Sequence, residues 1–86
     1  MGKHEKILWQ ILKGTSDANI RFSDLRSLLI YLGFDERVRG SHHMYRKSGV
    51  DEKINLQKDG NKAKAYQVKQ VRNVILKYKF GGIIDG

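Results

Sequence analysis

Residues 32–47 read LGFDERVRGSHHMYRK, and the change of pattern inside this stretch decides the fold. Before it, Leu25, Leu28, Leu29 and Leu32 recur at helical spacing, and Gly33 stops that helix. From Phe34 the period falls to two: Phe34, Glu36 and Val38 alternate with charged residues, as on a half-buried strand. Gly40-Ser41 then offers a tight turn or bulge, and HHMYRK (42–47) reads as a second strand. Arg-Gly-Ser-His-His-Met looks like the scar of an affinity tag. Its place between a helical and a strand pattern, with no linker on either side, marks it as native sequence.

Working outward, EKINLQ (52–57) makes a third strand, joined through Ser48-Gly49. KDGNKAK (58–64) reads as a strongly basic loop around Asp59-Gly60-Asn61. Val68, Val71, Ile75 and Tyr78 then recur on one helical face, with Lys69, Asn73 and Lys77 off it, and Gly81-Gly82 is expected to end that helix before a short tail. Towards the N-terminus, Ile7, Leu8, Ile11 and Leu12 predict a helix anchored by Trp9 and closed by Gly14. GTSDANI (14–20) is a loop, Ser23 an N-cap for the leucine-rich helix, and Asp24 suits the positive end of its first turn. The order is α-α-β-β-β-α. The economical architecture is α+β, a three-stranded antiparallel sheet with helices on one face, because each helix has one stripe to bury.

Eighty-six residues make one small domain with an adequate but thin core. With no cysteine, neither disulfides nor thiolate zinc sites can reinforce that core, and a cytoplasmic setting is expected. No apolar run approaches the roughly 20 residues of a membrane span, so no membrane partner is expected. MGKHEKILWQILKG lacks the small-residue cleavage site of a signal peptide, and Lys6 stands where a myristoylation signal has Ser or Thr. The net charge is +8, and its distribution is uneven. Residues 1–36 carry five Lys/Arg and five Asp/Glu, whereas residues 37–86 carry twelve against four. A solubilising surface would account for such a segment. Because both adjacent histidines share it, a polyanionic partner, RNA or DNA, is the stronger reading.

Adjacent histidines on a strand point to opposite faces, so His42 and His43 cannot chelate one metal together, and no metal or other cofactor is expected. One imidazole is nevertheless enough for chemistry on RNA. A base that takes the 2′-hydroxyl proton lets that oxygen attack the adjacent phosphorus, and an unperturbed histidine, with a pKa of about 6.5, suits this transfer near neutral pH. Arg39, Arg46, Lys47, Lys58, Lys62 and Lys64 are candidates to hold phosphates and steady developing charge. Tyr45 reads either as a stacking platform for a base or, beside Met44, as core. On these residues alone, a strand histidine is more often structural or simply exposed than catalytic.

The series Leu32-Gly33-Phe34, Gly40-Ser41-His42 and Tyr45-Arg46, then a strand around Ile54 and Leu56, a basic loop at Gly60 and a helix through Val68 and Val71, resembles the HicA family of bacterial toxin–antitoxin toxins. The likeness runs over about two-thirds of the chain, with residues 23–79 as the toxin core, 1–22 as an extension bearing an extra helix, and 80–86 as a tail. The resemblance implies a fold like that of double-stranded-RNA-binding domains. It further implies metal-independent cleavage of mRNA, a block on translation, and inhibition by a HicB-type antitoxin protein. Carried over by position, His42 is the catalytic residue and His43 the reserve, since a one-residue shift at the bulge would exchange their faces. Gly40 and Ser41 shape the turn presenting the histidine, and Ser41 and Tyr45 join the basic residues as RNA contacts. The sequence departs from the family in its N-terminal extension and in lacking the proline that usually follows the third strand. Two further readings share these residues. One is a non-catalytic RNA-binding module; the other is a toxin–antitoxin component acting mainly on operator DNA.

Overall fold

A computed structural model describes residues 2–80. Lys3–Lys13 form α1, and Ile7, Leu8 and Ile11 are buried along one side of it. Gly14 closes it at φ 70°, its N–H donating to the Ile11 carbonyl. A side chain there would also meet the Arg72 guanidinium, whose Nη1 lies 3.2 Å from an added Cβ. Arg72 reaches across from the last helix to Asp17 at 2.8 Å, tying the segment after α1 to the far end of the chain. Within that segment Asp17–Asn19 make a short 3-10 turn. Trp9 does not anchor α1: it lies off the apolar stripe, 49% exposed, with the Lys13 ammonium 4.3 Å from its ring centre. The apolar stripe anchors the helix instead.

Phe22–Tyr31 form α2, with Leu25, Leu28 and Leu29 fully buried. The helix begins one residue before the expected Ser23 cap. Arg21 takes the cap position, and no side chain caps the first turn because a guanidinium has no acceptor; the Phe22 N–H donates instead to the Asn61 carbonyl at 3.0 Å. After Leu32, Gly33 turns the chain at φ 97°, a left-handed conformation open to glycine, as the sequence predicts.

Asp35–Arg39 (β1), His42–Arg46 (β2) and Ile54–Leu56 (β3) form an antiparallel sheet in the order β1-β2-β3. Arg39 pairs with His42, so Gly40 and Ser41 alone make the turn. Gly40 has φ 58° whereas Ser41 keeps a negative φ, the pattern of a type II′ turn whose twist suits a two-residue hairpin. The three-stranded antiparallel sheet and three helices agree with the α+β expectation. The basic loop does not survive as a loop: Lys58–Asp59 (β4) and Lys62–Ala63 (β5) pair as a second hairpin, turned by Gly60 at φ 64°. Ala63 is buried, which gives this hairpin one anchor in the core.

Ala65–Lys77 form α3. Val68, Val71, Val74 and Ile75 are buried, while Lys69, Asn73 and Lys77 face out. The helix ends at Lys77, and the stop expected at Gly81-Gly82, with most of the tail, falls outside the described residues. Phe80 closes against Phe34 and Tyr78, and the Tyr78 hydroxyl donates to Glu52 at 2.7 Å, clasping the β2–β3 connection. Residues from α1, α2, the sheet and α3 belong to one hydrophobic cluster, so the side chains of 7, 8, 11 and 20 share the core of residues 22–75. Among the described residues no helix is long and apolar enough to cross a membrane.

Candidate functional site

Register divides the sheet into two faces. His43 and Tyr45 lie on the same side as Ile54 and Leu56, against the helices; His42 and Met44 pair with Arg39 and Arg37 on the open side. The two histidines, neighbours in sequence, therefore occupy unlike surroundings.

His42 is exposed. Its Nε2 lies 3.4 Å from the Gln57 amide nitrogen, a long contact in which Gln57 donates when that imidazole nitrogen is unprotonated. Gln57 is itself held twice. Its side-chain oxygen accepts from Lys64 Nζ at 3.2 Å, which fixes the amide with its nitrogen towards His42. Its backbone N–H donates to the side-chain oxygen of Gln67 at 2.9 Å. Gln67 is the buried polar side chain on the inner face of α3, 3% exposed. The ring thus hangs at the end of a polar chain rooted in α3, with the Arg39 side chain opposite it on β1. Beyond these residues, Arg37, Arg39, Arg46 and Lys53 surround Met44 in an open depression of about 800 Å³, with Asp35 among its lining residues.

His43 is packed instead. The Phe22 ring meets it edge-on at 4.8 Å, and 19% of its side chain is exposed. Its Nδ1 is sealed from solvent 3.5 Å from a Glu36 oxygen, yet makes no hydrogen bond there, so Glu36 acts as an electrostatic neighbour rather than a bonded partner. Glu36 is committed elsewhere: Arg26 grips it with two hydrogen bonds of 2.6 and 2.8 Å, and the Tyr45 hydroxyl donates to it at 2.5 Å. The Arg26 hydrogen bonds, helped by that from Tyr45, hold the Glu36 carboxyl down at about 2 against the penalty of burial. Burial, followed by the Glu36 contact, pushes the Tyr45 phenol well above its ordinary value.

Tyr45 is accordingly no stacking platform. It is fully buried, because its parity on β2 sends it beneath the helices, and its hydroxyl has a partner inside the protein. Among the other expected RNA contacts, Arg39 and Arg46 share the open face, Ser41 is exposed in the turn beside His42, and Lys64 joins His42 through Gln57. Lys58 and Lys62 sit elsewhere, on the β4–β5 hairpin near Phe22. Lys47 stands apart: it lies on the helix side near Gly33 and Phe80, five residues along the strand and roughly 16 Å from His42.

Sequence reasoning missed Arg37, Lys53, Gln57 and Gln67. Strand parity could have found Arg37, which is two residues from Arg39 and so on its face. A glutamine beside the Val68 stripe was a signal for a buried polar role. Lys53 and Gln57 depend on the register of β3 and on the hairpin after it, which no local pattern announced. No family model, no curated protein and no solved structure matches this chain.

Proposed function

We propose that this chain is a metal-independent endoribonuclease of the HicA type, cutting mRNA with His42 and neutralised by a HicB-type antitoxin. The observation that carries the proposal is the setting of His42: an exposed imidazole at the end of a hairpin, oriented by Gln57 and flanked by Arg39 and Lys64. The run α2-β1-β2-β3-α3 supports a double-stranded-RNA-binding-domain-like core, with the β4–β5 hairpin inserted before the last helix.

In this reading His42 accepts the proton of a ribose 2′-hydroxyl, and that oxygen attacks the adjacent phosphorus. The bond from phosphorus to the 5′-oxygen breaks, its electron pair stays on that oxygen, and a proton from solvent completes the 5′-hydroxyl, leaving a 2′,3′-cyclic phosphate on the other product. Negative charge growing on the phosphoryl oxygens is met by Arg39, opposite His42 on β1, and by Lys64, whose ammonium is held on Gln57. The Gln57 contact is long and exposed enough to yield to substrate while still selecting the ring orientation.

The test is cleavage of a long single-stranded RNA in excess EDTA by wild type and His42→Ala, with RNA binding followed in parallel. Cutting by wild type, together with binding but no cutting by the variant, supports the assignment. Products with 3′-hydroxyl ends and 5′-phosphates, or cutting at a 2′-deoxy position, would overturn the mechanism. A specific observation favours one second reading: the Glu36 carboxylate lies 3.5 Å from Nδ1 of His43, close enough that a small shift of the ring would let it accept from that nitrogen. Should His43→Ala be the inactive variant, chemistry belongs to the helix side of β2.

A further inference from the structure

The β4–β5 hairpin and the start of α2 enclose a groove of about 470 Å³, lined by Arg21, Phe22, Ser23, Lys58, Asn61 and Lys62. Its cations come from two separated segments, brought together by backbone. Arg21 faces Lys62 across an antiparallel bridge, the Phe22 N–H donates to the Asn61 carbonyl at 3.0 Å, and the Ala63 N–H donates to the Ile20 carbonyl at 2.9 Å. No carboxylate lines the groove, and among the described residues none of Arg21, Lys58 and Lys62 forms an ion pair.

Like charges directly opposite one another across strands destabilise a fold, and Arg21 and Lys62 are so placed across the bridge; Asp59 faces Lys62 from β4, yet it forms no ion pair with it and lies outside the groove lining. Two of the groove's cations are also positioned. Lys62 Nζ donates to the Asn19 side-chain oxygen at 3.2 Å, and Lys58 Nζ lies 5.5 Å from the Phe22 ring centre. Phe22 in turn packs on His43, whose chain neighbour is His42, so the groove lies at the same end of the sheet as the proposed catalytic residue but on the helix side.

We propose that this groove is a second phosphate-binding subsite, holding the backbone of an RNA strand that rounds the end of the sheet past His42. The inference rests on the ribonuclease reading for its substrate. Arg21, Phe22 and Asn61 are its additions to the RNA contacts named above. The groove binds and positions the strand; the proton transfer stays at His42.

The experiment uses the full chain carrying His42→Ala, so that bound RNA stays intact, and measures the affinity of a single-stranded 20-nucleotide RNA across a salt series. Arg21→Gln/Lys58→Gln/Lys62→Gln is compared with the equally discharged Lys6→Gln/Lys13→Gln/Lys69→Gln, both checked by thermal melting. The groove triple should lose about tenfold more affinity than the control near physiological salt, and its log–log salt slope should fall by about two more. Equal losses in the two triples overturn the subsite. If the groove triple melts much earlier than the control, Lys58→Gln alone is read against Lys69→Gln, with a several-fold difference expected and parity overturning the proposal. Cleavage by the otherwise unaltered chain is scored separately. Cutting with equal losses removes the groove and leaves the ribonuclease reading standing; no cutting with a groove-specific loss does the reverse.

Discussion

His42 and His43 are the same residue one position apart, and the fold treats them as opposites. One is exposed on the open face of the sheet, where Gln57 makes a long contact to its Nε2. The other is wedged between Phe22 and a glutamate that Arg26 and Tyr45 hold in place. Strand parity alone produces the difference, because β2 is central and only one of its sides lies under the helices. A histidine pair read as one motif is thus two environments, one open to solvent and one packed against Phe22.

The strongest way to break the comparison is to delete each ring in turn. His42→Ala should lower RNA cleavage by two to four orders of magnitude, on the order of 10²–10⁴ for loss of a proton-transfer group, while leaving the melting temperature nearly unchanged. His43→Ala should do the reverse: cleavage per folded molecule stays near wild type, and stability falls by roughly 1–2 kcal/mol through lost packing on Phe22. Denaturant unfolding beside an initial-rate assay checks both, and exchanged phenotypes would mean that catalysis sits on the helix side.

Removing only the Tyr45 hydroxyl sharpens the packing half of the contrast. Tyr45→Phe keeps the buried ring but withdraws a donor from Glu36, and should cost about 1–2 kcal/mol by equilibrium unfolding. A change below a few tenths would show that Arg26 alone satisfies the carboxylate.

Acid titration separates the same network from the rest of the protein. The Glu36 carboxyl is depressed in the folded state, from an ordinary 4.5 to about 2, so its contribution to stability is present above about 4.5 and is lost as pH falls towards 2. Thermal melts between pH 5 and 2 should show wild type losing its advantage over Glu36→Gln across that window. A stability difference that stays constant with pH would remove the charged form of Glu36 from the account.

How much of this could be read beforehand follows from how local each signal is. The leucine stripe of α2, the Gly40-Ser41 turn and the opposite facing of the histidines are set by neighbours within a few residues, and all are present in the structure. Tyr45 was ambiguous because parity says only that it opposes His42, not which side the helices cover. α2 starts one residue before the local serine because the chain ahead of it is tied to the second hairpin, by the Arg21–Lys62 bridge and the Phe22 N–H to the Asn61 carbonyl, contacts some forty residues away that no local signal carries. Trp9 does not anchor its helix because its phase places the indole outside the stripe of Ile7, Leu8 and Ile11. The Gln57–Gln67–Lys64 chain behind His42 joins β3, α3 and the second hairpin, and no short pattern encodes that meeting.

The smallest expected effect concerns the turn that carries His42. Gly40 sits at φ 58°, where an L side chain is strained, yet an added Cβ would meet nothing within 4 Å. Gly40→Ala therefore has no clash to relieve, and its cost is the backbone alone, about 1 kcal/mol, read as a small drop in the denaturation midpoint. The Arg39–His42 pairing spans the turn and is held by the rest of the β1–β2 ladder, so His42 should keep its place and the cleavage rate per folded molecule should not change. If the rate falls while stability drops by no more than this, the left-handed residue does more than close the hairpin. The imidazole is then aimed by the turn itself, and Gln57 becomes a secondary restraint.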